Sequence, residues 1–242
     1  MFLYALKRFL VFVPTFFIIS LLIFGLSKLA PGDPVELLLK GGQSAGATGQ
    51  RADLVNSERA YQEKARELGL DRPTFYFAVT SAAYPADLYL IKKQNHREII
   101  SRLIDRSGNA EAVMAYYNTL RAFELKVFDV LATAASAEAR TALRDPMNDI
   151  YFKHQDGDIK AELDKMKAAI AADPALSAAL SSELVKLQSA YQYILDNPKT
   201  GNLYIPTLHA YGFNNQYHTW MFGDYPWFST PDTMAKFQLD GL

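Results

Sequence analysis

The sequence predicts an all-α protein: one N-terminal transmembrane helix followed by a mostly helical soluble domain. Three observations predict it. Residues Phe9 to Ser27 carry no charged side chain. Between Asp53 and Leu195, apolar residues recur at three- and four-residue spacing, the period of a helix with one buried face. Gly, Asn and Asp-Pro signals of the kind that start and stop helices punctuate those segments.

The N-terminal segment, Met1 to Pro34, comes first. Its charge-free run is 19 residues long. As a helix it extends roughly 28 Å, close to the ~30 Å hydrocarbon core of a bilayer. Every backbone N–H and C=O in such a core must be paired inside the segment, which a helix does. Pro14 is placed near the start of the run, where a missing N–H costs least. A cleaved signal peptide would need a shorter apolar run and a small-x-small site, and Lys28 lies three residues before Pro31. A buried helix of a soluble protein is seldom apolar on all faces over this length. An uncleaved anchor is therefore the expectation. Lys7 and Arg8 on one side nearly balance Lys28 and Lys40 on the other, and their adjacency to the run favours an N-terminus inside.

Beyond the anchor the chain divides into residues 35–72 (linker and first amphipathic helix), 73–200 (helical extracytoplasmic domain) and 201–242 (aromatic-rich). Gly41 to Gly49 is small and polar and reads as a flexible linker. Its glycine spacing imitates a phosphate-binding loop but lacks the lysine. A helix is predicted over 53–68, with Leu54, Tyr61, Ala65 and Leu68 on one side and Gly69 as its stop. Thr74 to Tyr84 is apolar and is expected to be irregular or helical, since no partner strand is evident. Residues 87–106 form a helix closed by Gly108. Asn109 caps the next one, whose stripe is Val113, Tyr116, Tyr117, Leu120, Phe123, Val127 and Leu131. Ser136 to Leu143 is a short helix closed by Asp145-Pro146, and 158–172 buries Ile159, Leu163, Met166 and Ile170. Asp173-Pro174 is an N-cap with Pro at the first helical position. The stripe Leu176, Leu180, Leu184, Leu187, Tyr191, Leu195 follows and ends at Asn197-Pro198. Helices of this length with short loops imply a bundle.

From Tyr204 to Phe228 nine of 25 residues are aromatic. Rings with polar handles suit a membrane interface or a partner surface, with Trp220 and Trp227 as candidate interface residues. A packed, irregular closing segment of the domain is the reading favoured over these.

Three motifs carry a resemblance. Tyr4-Ala5-Leu6-Lys7-Arg8, the apolar run, and then Ala30-Pro31-Gly32-Asp33-Pro34 are similar to the start of permease subunits of binding-protein-dependent ABC importers. The branch is the one for dipeptides, oligopeptides and nickel. Leu68-Gly69-Leu70-Asp71-Arg72-Pro73 resembles the LGLDxP segment after the first membrane helix there. Gln216-Tyr217-His218-Thr219-Trp220 resembles the QYxxW segment before the second. The family's Gly-Asp-x-Gly-x-Ser stretch has no counterpart, because Gly223-Asp224 is followed by Tyr225-Pro226.

The resemblance implies a multi-pass inner-membrane protein carrying peptides or similar small solutes. Its implied partners are a second permease subunit, ABC ATPase subunits, an extracytoplasmic substrate-binding protein and membrane lipid. Family members have only a short segment where this chain has a large helical insertion, placed outside the membrane. A translocation path needs further membrane helices and an ATPase-coupling loop, and Asp240-Gly241-Leu242 forms no evident closing element. The chain therefore reads as the N-terminal portion of such a permease. The alternative is a single-pass anchored helical domain for protein–protein interaction in the cell envelope.

Composition sets limits. The net charge is −1, and beyond residue 30 the balance is 22 basic against 26 acidic residues, so nucleic acid is not an expected partner. There is no cysteine, which rules out disulfides and thiolate metal sites. His96, His154, His209 and His218 lack metal spacing, and Asp156 and Asp158 lack the other positions of a calcium loop. No nucleophile elbow, HExxH or paired carboxylate stands out, so the expectation is no enzymatic activity, no cofactor and no metal.

Overall fold

A computed structural model describes residues 2–29, 34–42, 51–91, 93–133 and 137–223. The first helix, α1 (Phe2–Lys28), has 27 residues. Leu6–Lys28 within it is long and apolar enough to cross a membrane, and only 11% of that stretch is buried. Because the helix begins at Phe2, Pro14 lies in its interior and not near its start. Helices that cross membranes tolerate such a proline when neighbouring groups serve the freed carbonyl. Two further helices follow, α2 (Pro34–Gly42) and α3 (Arg51–Glu67). The linker expected over 41–49 begins inside α2, and residues 43–50 lie outside the described set. Helix α3 buries Tyr61 and Ala65 against Val35 of α2, with Leu39 and Leu70 alongside. Leu68, expected on that buried side, is 44% exposed, and the side chain of Leu54 lies outside the described set.

The segment expected to be irregular or helical contains a strand. β1 (Phe77–Ser81) pairs antiparallel with β2 (Pro206–Ala210), from Phe77↔Ala210 to Ser81↔Pro206. The partner lies more than 120 residues downstream, beyond the reach of any local pattern. The backbone N–H of Ala82 donates to the carbonyl of Ile205 at 2.7 Å, so the chain leaves the ribbon and returns to it at adjacent points.

Residues 82–205 form the helical body hung on that ribbon. It contains α4 (Gln94–Ser107), α5 (Ala110–Thr133), α6 (Ala137–Asp149), α7 (Asp156–Ala172) and α8 (Pro174–Asp196), with 3-10 turns at Leu88–Leu90, Ile150–Phe152 and Thr200–Tyr204. The helix expected from residue 87 thus starts at Gln94, after a separate 3-10 turn. Helices α5 and α8 run antiparallel. Asn109 Nδ2 donates to the Asn197 carbonyl at 2.8 Å, the rings of Tyr116 and Tyr191 lie 5.4 Å apart, and Lys126 pairs with Glu183 at 2.9 Å. Their facing stripes are buried, with Ile194 in place of the expected Leu195 on α8, and α4, α6 and α7 pack around them into one core. Helix α6 continues through Pro146 to Asp149 instead of stopping before it. Asn109 and Asp173 accept the N–H groups expected of helix caps. Gly108 takes the left-handed conformation at the end of α4, φ 66°.

Candidate functional site

One short helix brings the 72–76 segment to the C-terminal end of α1. This helix is α9 (Gln216–Phe222). Its cap is Asn215, fully buried, whose Oδ1 accepts the His218 N–H at 2.8 Å while its Nδ2 donates to the Gly212 carbonyl at 2.7 Å. Tyr217, Trp220 and Met221, at helical spacing, face α1. The Tyr217 hydroxyl meets Ser20 Oγ at 2.6 Å, and Ser20 Oγ also reaches Met221 Sδ at 3.8 Å. The Phe24 ring lies edge-on to Tyr217 at 5.2 Å and tilted against Trp220 at 5.7 Å. Lys28 Nζ donates to Gln216 Oε1.

The 68–76 segment closes the third side. Ala65, Gly69 and Leu70 form a Schellman cap on α3: the Leu70 N–H reaches the Ala65 carbonyl at 2.8 Å and the Gly69 N–H reaches Arg66 at 2.9 Å. Gly69 has φ 66°, so the glycine is there to end the helix. The carbonyls of Pro73 and Thr74 accept the first two N–H groups of α9, from Gln216 at 2.9 Å and Tyr217 at 3.2 Å. Gln216 Nε2 donates to the Arg72 carbonyl at 2.6 Å, and Arg72 Nη1 donates to Thr219 Oγ1 at 2.6 Å. Gln216 therefore ties α1 to the 68–73 segment with one side chain. Tyr76 OH meets His218 Nδ1 at 3.0 Å, and burial pushes the Tyr76 phenol up from its ordinary value, so it stays a neutral hydrogen-bonding group. Rings continue from Phe24 through Tyr217 and Phe75 to Phe77 on the ribbon.

The motif residues thus sort clearly. Gln216, Tyr217 and Trp220 meet α1, Arg72 and Pro73 bond to α9, and Pro34 opens α2, whose Val35 packs with Leu70. Asp71 is half-buried nearby in sequence, with no role at the junction that the described contacts reveal. Ala30, Pro31, Gly32, Asp33 and Trp227 lie outside the described residues. Trp220 is 50% exposed, so it is an edge of the junction and not core. Sequence reasoning missed His218 and Ser20, which with Phe24 is buried on a helix otherwise largely exposed. A hydroxyl inside an apolar run is the signal that could have found Ser20, because such a group needs an internal partner.

A second feature is a cavity of about 230 Å³ between α3 and the helical body, lined in part by Tyr61, Lys93, His96, Tyr117 and Arg121. Beneath it lies a buried polar chain. His96 stacks on Tyr151 at 4.2 Å, and Nδ1 meets Tyr117 OH at 3.0 Å. Tyr151 OH donates to Glu124 Oε2 at 2.7 Å, and Arg121 pairs with the same carboxylate. Burial, with Lys93 and Arg121 adding to it, holds the His96 pKa down to about 3. Burial and Glu124 push the Tyr151 phenol up, with Arg121 opposing. At neutral pH this array holds a neutral imidazole, a neutral phenol and one ion pair, which suits a packed network. Among the described residues, no group of three or more His, Asp or Glu side chains could hold a metal ion.

No model of a known protein family, no curated protein and no solved structure matches this chain.

Proposed function

We propose that this chain forms the first membrane helix and outer region of a permease subunit resembling those of binding-protein-dependent ABC importers for peptides or similar small solutes. The observation that carries the reading is the junction at α1. The 68–73 and 216–220 segments, about 145 residues apart, share one set of contacts at the C-terminal end of α1, with Gln216 bonded to both Lys28 and Arg72. These contacts lie at the end of α1, among the described residues the one helix long and apolar enough to span a membrane. In this reading the region after residue 34, as far as α9, is extracytoplasmic, and the body of residues 82–205 is an insertion between paired ribbon positions. Its partners are a second permease subunit, ATPase subunits and a substrate-binding protein.

The test is purification of the protein, tagged at its own locus, from native membranes in mild detergent. An ATPase subunit and a second permease subunit co-purify in stoichiometric amounts, and deletion of the locus abolishes uptake of labelled peptides. A protein that purifies without an ATPase, with uptake of every peptide class intact after deletion, refutes the reading. That result favours an anchored interaction domain, for which a self-contained helical body on a narrow ribbon is also suited.

A further inference from the structure

The register between α9 and α1 sets α9 beside the apolar part of α1. Gln216 lies opposite Lys28, Tyr217 and Trp220 opposite Phe24, and Met221 opposite Ser20, so the two helices run antiparallel. From Lys28 back to Ser20 is ~12 Å of helix, and the seven residues of α9 extend ~10 Å. Helix α9 therefore descends alongside the charge-free part of α1 and does not rise away from it.

We propose that α9 is a second membrane-embedded element, with the exposed edge of Trp220 in contact with phospholipid acyl chains in the leaflet at the C-terminal end of α1. The inference rests on the reading that α1 spans a membrane. Two independent features of α9 fit it. The N-terminal N–H groups of α9 are satisfied within the protein, by Pro73, Thr74 and Asn215. A helix whose first turn leaves water needs this, because lipid offers no acceptor. The polar groups facing α1 are likewise paired, Tyr217 with Ser20 and Gln216 with Lys28. What α9 leaves open at this level is the Trp220 ring, 50% exposed, beside a helix that exposes Leu22, Ile23 and Leu26. Trp220 packs on Phe24, ~6 Å below Lys28 along α1, a depth at which Trp is enriched in membrane proteins. The surface is continuous with the lipid-facing side of α1, which is why lipid is its occupant.

The experiment uses the full chain in phosphatidylcholine vesicles carrying bromine at shallow or at deep acyl positions. The protein has two tryptophans, so Trp227→Phe leaves Trp220 as the single fluorophore. A companion, Ile18→Trp in a Trp220→Phe, Trp227→Phe background, reports insertion of α1 itself. Circular dichroism checks that both keep the parent helix content. Trp220 emission is expected blue-shifted, protected from aqueous acrylamide, and quenched more by shallow than by deep bromine, while the residue 18 reporter is quenched most by deep bromine. If the residue 18 reporter is quenched and Trp220 is not, α9 lies outside the bilayer and the inference fails while the anchor stands. If neither is quenched, both the anchor and the inference fail.

Discussion

Lowering the pH should destabilise the helical body through one residue, His96. Its ring is 8% exposed, stacked flat on Tyr151 and bonded to Tyr117 OH. The charged groups facing it are Lys93, from the turn before α4, and Arg121 of α5, while Glu124 is engaged by Arg121 and Tyr151. The folded pKa is about 3, against an ordinary value of 6.5. The sign follows from linkage. The unfolded chain takes up a proton as pH falls through 6.5, whereas the folded protein does not until near 3. The stabilisation is therefore present above pH 6.5 and is lost progressively below it. Going from pH 7 to pH 5 costs about 1.5 pH units at ~1.4 kcal/mol each, or about 2 kcal/mol. The assay is urea unfolding in detergent micelles, followed by circular dichroism at the two pH values. His96→Phe keeps the stack on Tyr151 and removes the titration, so the other histidines cancel in the comparison. The variant should lose about 2 kcal/mol less than the parent between pH 7 and pH 5. Equal losses in the two proteins would refute the reasoning, as would an NMR titration giving His96 an ordinary pKa.

Two further outcomes test the architecture. Gly108→Ala puts a Cβ 2.3 Å from the Lys199 carbonyl oxygen and 2.9 Å from Thr200 Cα, at φ 66°. These neighbours are backbone and cannot rotate away, so conformational strain and overpacking together should cost about 2–4 kcal/mol. A change in urea stability under about 0.5 kcal/mol, the range of an ordinary surface substitution, would show that the corner is not held as described. Replacing residues 82–205 by Asn-Gly joins Ser81 to Pro206 through a two-residue hairpin turn. The shortened chain should keep the near-ultraviolet signature of the Tyr217–Phe24–Trp220 cluster, and the excised segment should be helical by circular dichroism. Loss of that signature on excision would mean that the helical body holds the junction together.

What could be read from the sequence was whatever depends on neighbours within about two helical turns. The stripes on α5, α7 and α8 fell where three-four spacing puts them, apart from Ile194 taking the place of Leu195, because each helix presents one face to a single core. Gly69, Gly108, Asn109 and Asp173 were legible for a similar reason: a cap is a bond between residues two to five apart. Pro146 misled because a proline costs a helix only the bond its own N–H would make and a clash one turn back, and tertiary packing of Leu143 and Met147 outweighs that in α6. The ribbon was invisible because neither strand has a local partner. β1 and β2 pair across the whole helical body, with residues 82 and 205 in contact at its base. The junction at α1 had the same difficulty in a sharper form. Ser20, Arg72 and Gln216 each look like ordinary polar residues in their own segments, and only the 188-residue closure from Lys28 to Gln216 brings them to one junction.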